Sequence, residues 1–195
     1  MASCVIAGSR CWSRSPWFWP APLCRWYADR AAWRLIGLRF LPWLAGLNLA
    51  WEIAQLPLYT LWHEGSPAFI VFSVVHCTLG DAMIGAAAVA LALVATRAAG
   101  VEHWRFVRIA LVTALVGTAY TVFSEWANTV ARQGWAYSEL MPVVRLFGAE
   151  IGLSPIAQWL ILPLLALRLA LIFGGISGGR SQPERKPGFP GADPT

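Results

Sequence analysis

Four long apolar runs divide the chain, at 36–62, 68–96, 106–130 and 154–173, and each carries a few polar residues at helical spacing. A helix rises about 1.5 Å per residue, so about 20 residues cross a hydrocarbon core roughly 30 Å thick. Each run is read as a membrane-spanning helix, which makes the fold class an all-α, integral-membrane, four-helix bundle. In the first run Asn48, Glu52, Gln55 and Tyr59 stand at i, i+4, i+7 and i+11, one polar stripe on a helix. An ionisable group at that depth is expensive and marks a candidate functional site. Pro57 deprives the Ile53 carbonyl of its helical donor and leaves an acceptor beside Glu52. Gly46, Ala50 and Ala54 form a small-residue stripe suited to a neighbouring helix.

The other runs repeat the design. The second holds His76, Cys77, Thr78 and Asp81, with Cys77, Asp81 and Gly85 on one face and Ala82, Ala86 and Ala90 on another. Along one side of the third lie Ala114, Gly117, Thr121, Glu125 and Asn128. The fourth has Gln158 and Trp159 near its start and Arg168 near its end, where a long side chain can reach the headgroups.

The connections differ in character. HEGSP at 63–67 reads as a tight turn, and 97–108 is a basic loop. Within 132–152, Trp135 and Tyr137 are interface anchors, and 143–147 is expected to form a short interfacial helix. Residues 1–35 alternate Arg and Trp around Pro16, Pro20 and Pro22. That pattern suits anionic headgroups; the plainer reading, which is preferred, is a poorly ordered cytoplasmic leader or a misplaced start codon. The Gly-, Pro- and charge-rich stretch 174–195 reads as a disordered cytoplasmic tail.

Composition narrows the class. The 195 residues are 57% hydrophobic and 13% charged, against about 25% charged in soluble domains. A second large soluble domain is excluded. The net charge of +5 is read as topology signal and headgroup contact, with no nucleic-acid partner. Thirteen basic residues flank the helices on the side of the termini and two, Arg132 and Arg145, on the other. Both termini are therefore placed inside. Cys4, Cys11, Cys24 and Cys77 form no CxxC pair, so neither a disulfide framework nor a zinc site is expected. The first ten residues lack a signal-peptide apolar core, so the first run is a retained helix.

With this orientation Glu52 and His76 fall roughly 15 and 12 Å in from the outer ends of their helices. All four helices contribute polar groups to the outer half. The candidate pocket comprises Asn48, Glu52, Gln55, His76, Asp81, Glu125, Asn128 and Gln158. A charge at the bilayer centre costs about 2.5–3.5 kcal/mol, so the carboxyls call for a proton, His76, a metal or a bound cation. Glu52, His76 and Glu125 could hold a metal, though their spacing matches no known ligand signature. The plainer explanation is interhelical hydrogen bonding, worth about 0.6–2 kcal/mol each. HExxH, GxSxG and Walker patterns are missing, and no cofactor is specified.

Together NLAWEIAQLPLYTLW, HCTLGDAMIGAAAVALALV, SEWANT, WAYSELMPV and GLSPIAQWLILP resemble a family of small bacterial polytopic membrane proteins of unknown function. The resemblance covers 47–163. It implies a multi-pass protein of the bacterial inner membrane and carries no activity or catalytic residues with it. Three functions remain: a binding or transport module with a polar outer pocket, an intramembrane enzyme acting on a lipid-like substrate, or an accessory subunit of a membrane complex. Beyond the lipid bilayer, the partners considered are a second copy of the chain and another membrane protein. Four helices barely enclose a pathway, so transport requires an oligomer.

Overall fold

The computed structural model describes residues 29–146 and 148–173. The Arg/Trp-rich stretch before Asp29 and the tail from Gly174 lie outside the described residues, as does Phe147. The described chain is mostly helical. Asp29 opens α1 (Arg30–Leu35) by accepting the Ala31 amide at 2.8 Å. The same carboxylate accepts the Val101 amide at 3.1 Å, which ties the start of the rod to the 97–105 loop. The rod continues through a π turn (Ile36–Phe40) into α2 (Leu41–Gln55). Six residues assigned to the leader by sequence thus form α1, and two of them, Ala32 and Leu35, are buried in the core.

The first rod was expected to run to 62, and it stops at Gln55. Pro57 converts the next turn into a 3₁₀ helix (Leu56–Leu58), and a four-residue helix α3 (Leu61–Glu64) follows. Without an amide hydrogen on Pro57 the α-helical ladder cannot continue, and here the chain breaks instead of kinking. Ser66 then caps α4 (Pro67–Ala95), its Oγ accepting the Phe69 amide at 3.3 Å, with proline at the first helical position. A short 3₁₀ turn (Val101–His103) leads to α5 (Phe106–Trp126), which a π turn (Ala127–Ala131) prolongs. The last helix, α6, spans Leu153–Ile172.

The helix expected over 143–147 is a strand, so the fold is not purely α. β1 (Val143–Leu146) pairs antiparallel with β2 (Ala149–Gly152), Arg145 standing opposite Glu150. Two adjacent valines favour the extended chain, and Gly148 at φ +79° permits the tight return.

Four rods pack in a square. α2 touches α4 and α6, and α5 touches the same two from the opposite corner. Small residues set the spacing. A methyl group on Gly117 would collide with the Trp159 indole ring, and one on Gly85 with the Leu44 side chain. The stripe Ala114, Gly117, Thr121 and Glu125 on α5 is buried, as its sequence pattern suggested. The stripe Gly46, Ala50, Ala54 is exposed instead, so it packs against no helix among the described residues.

The core occupies one end of the bundle. Leu35, Phe40, Leu44, Leu93, Ile109 and Leu167 belong to it, joined by Trp104 from the basic loop. α4 records the asymmetry. Gly85, Ala88, Val89, Ala92 and Leu93 are buried in its second half, whereas Val74 is the single buried residue of its first half. That first half stands away from the bundle and leaves a space behind it.

Around the outside, Val71, Phe72, Leu79, Met83, Leu115 and Ile161 are exposed apolar side chains. Three helical segments, Pro67–Ala95, Phe106–Ala131 and Leu153–Ile172, are long and apolar enough to cross a membrane, which suggests a membrane protein. α2 is shorter, at 15 residues, and carries the polar stripe.

Candidate functional site

The space behind α4 is a cavity of about 820 Å³ at the end opposite the apolar core. Seven of the eight residues singled out by sequence line it: Glu52, Gln55, His76, Asp81, Glu125, Asn128 and Gln158. Asn48 lies beneath, 1% exposed, and joins its floor by a hydrogen bond.

A directional chain of hydrogen bonds sets that floor. An indole N–H can only donate, so Trp51 Nε1 donates to Ser154 Oγ at 3.2 Å. Ser154 must then give its own proton onward, and it donates to Gln55 Oε1 at 2.8 Å. The Gln55 amide nitrogen therefore faces Gln158 Oε1, at 3.4 Å. This turns the Gln158 NH₂ group toward α2 and α4. The far end enforces the same sense: Asn48 Nδ2 donates to the Leu44 carbonyl at 2.8 Å, leaving its Oδ1 to accept from Gln158.

Three acceptors converge on Gln158 Nε2: Asn48 Oδ1 at 2.7 Å, Asp81 Oδ2 at 3.0 Å and Glu52 Oε1 at 3.2 Å. An amide nitrogen carries two hydrogens. Gln158 therefore serves two of them at a time, while Gln55 also reaches Glu52 and the Trp159 indole reaches Asp81. The Glu52 and Asp81 carboxyls also lie within hydrogen-bonding reach of each other. Such a bond needs a proton on one of them, so the pair has room for a proton or another donor. Gln158 itself is 2% exposed, and no other residue bonds to both α2 and α4 at this level among the described residues.

Glu125 sits across the cavity in a second arrangement. Its Oε2 accepts from the Tyr137 hydroxyl, which in turn accepts the Gly152 amide at 3.0 Å. Tyr137 thereby ties α5 to the hairpin and to the start of α6. Burial pushes the Tyr137 hydroxyl well above its ordinary range, and the Glu125 carboxylate beside it adds to that effect. The loop before it is stitched to the Pro57 break: Thr60 N donates to the Ala136 carbonyl at 3.0 Å, and Ser138 N to the Leu58 carbonyl at 2.9 Å. Ser138 Oγ also donates to the Pro57 carbonyl at 2.9 Å. Asn128 is held by its own helix through the Ser124 carbonyl at 2.8 Å. The Trp135 indole N–H is buried at the cavity wall near the Glu125 carboxyl.

His76 reaches the cavity from its edge. It is exposed and stacked on Phe72, ring centres 5.6 Å apart. Glu52, His76 and Glu125 line one cavity, yet among the described residues no three His, Cys, Asp or Glu side chains are grouped to hold a metal ion. The residues that sequence reasoning did not connect are Trp51, Ser154 and Ser138. Ser154 sits one turn before Gln158, a helical spacing legible in the sequence. Tyr137, read as an interface anchor, supplies the hydroxyl that Glu125 binds. No protein-family model, curated protein or solved structure matches this chain.

Proposed function

We propose that this is a four-span membrane protein with both termini inside, whose cavity is a binding site for a polar ligand or ligand head in the outer half of the bilayer. One observation carries the reading: three helices bring the Glu52 and Asp81 carboxyls and the Gln158 amide together at the floor of a cavity, with no ion pair to either carboxyl among the described residues. Packing alone would disfavour two adjacent carboxyls without a cation, because a charge at the bilayer centre costs about 2.5–3.5 kcal/mol. The orientation is supported by Arg34, Arg39, Arg97, Arg105, Arg108 and Arg168, which sit at the core end, away from the cavity. The α1–α2 rod serves as the fourth span, its polar stripe turned toward α6. A bacterial inner membrane is the setting that the family resemblance supports.

The cavity ends blind. Below Asn48 and Gln158 the apolar core fills the bundle, which favours binding over conduction through a single chain. Transport would need a second copy or a large rearrangement. The intramembrane-enzyme alternative draws on the touching Glu52 and Asp81 carboxyls, since a pair sharing a proton can act as acid and base together. The accessory-subunit reading draws on the exposed Gly46, Ala50, Ala54 stripe. Cys77 lines the cavity and tests the proposal. With Cys4, Cys11 and Cys24 replaced by serine, a small membrane-impermeant thiol reagent added outside intact cells should modify Cys77. Labelling only after the inner face is exposed would refute the orientation, and none from either side would refute the open cavity.

A further inference from the structure

The chemistry of the cavity wall narrows the ligand class. Four carboxyl residues line it, Glu52, Glu64, Asp81 and Glu125, against one guanidinium, Arg132, and the His76 imidazole. The floor is rich in acceptors: three oxygens turn toward Gln158 Nε2, and neither the Glu52 nor the Asp81 carboxyl has an ion-pair partner among the described residues. A neutral hydroxyl offers one donor; a primary ammonium offers three, accepts nothing and brings the opposite charge. Tyr59 and Trp159 add aromatic surface, which also favours a cation.

Size and openings say more. A volume of about 820 Å³ falls in the roughly 300–1,000 Å³ range of organic-ligand sites and is far too large for a lone inorganic ion. The cavity has two openings. Glu64, Ser66, Arg132 and Gly134 are exposed at the polar end. The other lies at the side, between α4 and α5. Phe69, Phe72 and Tyr120 line the cavity there and remain 51%, 60% and 48% exposed, on the surface that carries the other exposed apolar residues. The loosely packed first half of α4 forms one jamb of that side opening. A polar floor, a wet end and an apolar side door suit a molecule with a charged head and an apolar tail.

The geometry points to an amphiphile bearing a protonated amine, admitted sideways between α4 and α5, with its ammonium donating to Glu52 and Asp81 and its tail against Phe69, Phe72 and Tyr120. This rests on reading the cavity as an open ligand site. The ammonium donates to both carboxyls and brings the cation that neither has among the described residues.

The test uses the full chain in nanodiscs of zwitterionic lipid, with melting followed by tryptophan fluorescence. The probes are decylamine, decan-1-ol, decanoate and ethylamine at pH 7. Decylamine should raise the melting temperature saturably. Decanol and decanoate should require roughly tenfold more ligand or show no shift, since a charged partner strengthens a buried hydrogen bond. Ethylamine should be similarly weak for lack of a tail. Glu52→Gln and Asp81→Asn, which keep shape and hydrogen bonding, should each abolish the decylamine shift, while Glu102→Gln in the far loop should leave it intact. Equal shifts with decanol or decanoate would overturn the cationic head, and an equal shift with ethylamine would overturn the tail. If no probe acts although Cys77 is labelled from outside, the ligand class is wrong and the open cavity stands. If Cys77 is also unreachable, the cavity reading itself has failed.

Discussion

Replacing Gln158 by leucine removes the one side chain that joins α6 to both α2 and α4 at the cavity floor. Leucine keeps the helix propensity and nearly the volume, so the change isolates the hydrogen bonds. Gln158 Nε2 satisfies two of its three acceptors at a time, and Oε1 accepts from Gln55. Three interhelical bonds are lost, each worth about 0.6 and at most about 1.7 kcal/mol in a membrane protein, so the sum is roughly 2–5 kcal/mol. The upper half is favoured, because Asn48 is 1% exposed beneath the cavity and cannot recruit water as a substitute. Reversible unfolding in bicelles by SDS titration, followed by tryptophan fluorescence, measures the loss. A double-mutant cycle with Asn48→Leu should show coupling of about 1 kcal/mol, since the two amides bond directly. Leu160→Ala on the exposed side of α6 should cost little. A Gln158→Leu protein within about 0.5 kcal/mol of wild type, with zero coupling to Asn48, would refute the hub.

Gly117→Ala should lower stability by about 1–3 kcal/mol through overlap with the Trp159 ring, and adding Trp159→Leu should restore most of the loss in the same unfolding assay. Tyr137→Phe should loosen the hairpin, seen as faster amide exchange across Val143–Leu146 and Ala149–Gly152. The raised folded-state value for Tyr137 makes its contribution complete below the ordinary 10.0 and lost as pH climbs through the higher folded value. Wild type should therefore lose melting temperature faster than Tyr137→Phe above that pH. Reporter fusions after Gly65, Gly100 and Gly134 should read outside, inside, outside, and an inside signal at Gly134 would overturn the four-span arrangement.

The helices and much of the site were readable because both follow from helical spacing. Glu52 and Gln55 on one stripe, and Cys77 and Asp81 on another, face the same cavity because i+3 and i+4 neighbours share a face. The rod boundaries at Pro67 and Phe106 follow from capping and from the basic loop. Other features depend on partners distant in the chain. The sequence pattern suggests a helix over 143–147, where the chain is a strand, because a few apolar residues have no period long enough to separate the two. α1 was assigned to the leader because its anchor, the Asp29 bond to Val101, spans 72 positions. The sense of the amide chain from Trp51 to Gln158 is equally invisible, since it is fixed by Ser154 on another helix. The pattern also could not distinguish a small-residue stripe that packs inside, Ala114 and Gly117, from one that faces out, Gly46 and Ala50.

The most direct test of an open, acid-lined cavity is the rate at which two reagents of opposite charge modify Cys77. Cys77 lies four residues before Asp81 and shares the cavity wall with Glu52. In protein with Cys4, Cys11 and Cys24 changed to serine, the trimethylammonium-ethyl and sulfonato-ethyl methanethiosulfonates would be added from outside, and both rates normalised to a free thiol. The cationic reagent should react at least roughly tenfold faster, the equivalent of about 1.4 kcal/mol, and Glu52→Gln should bring the ratio most of the way back to one. Equal rates for the two reagents in the unaltered cavity, or a ratio that Glu52→Gln leaves unchanged, would contradict it.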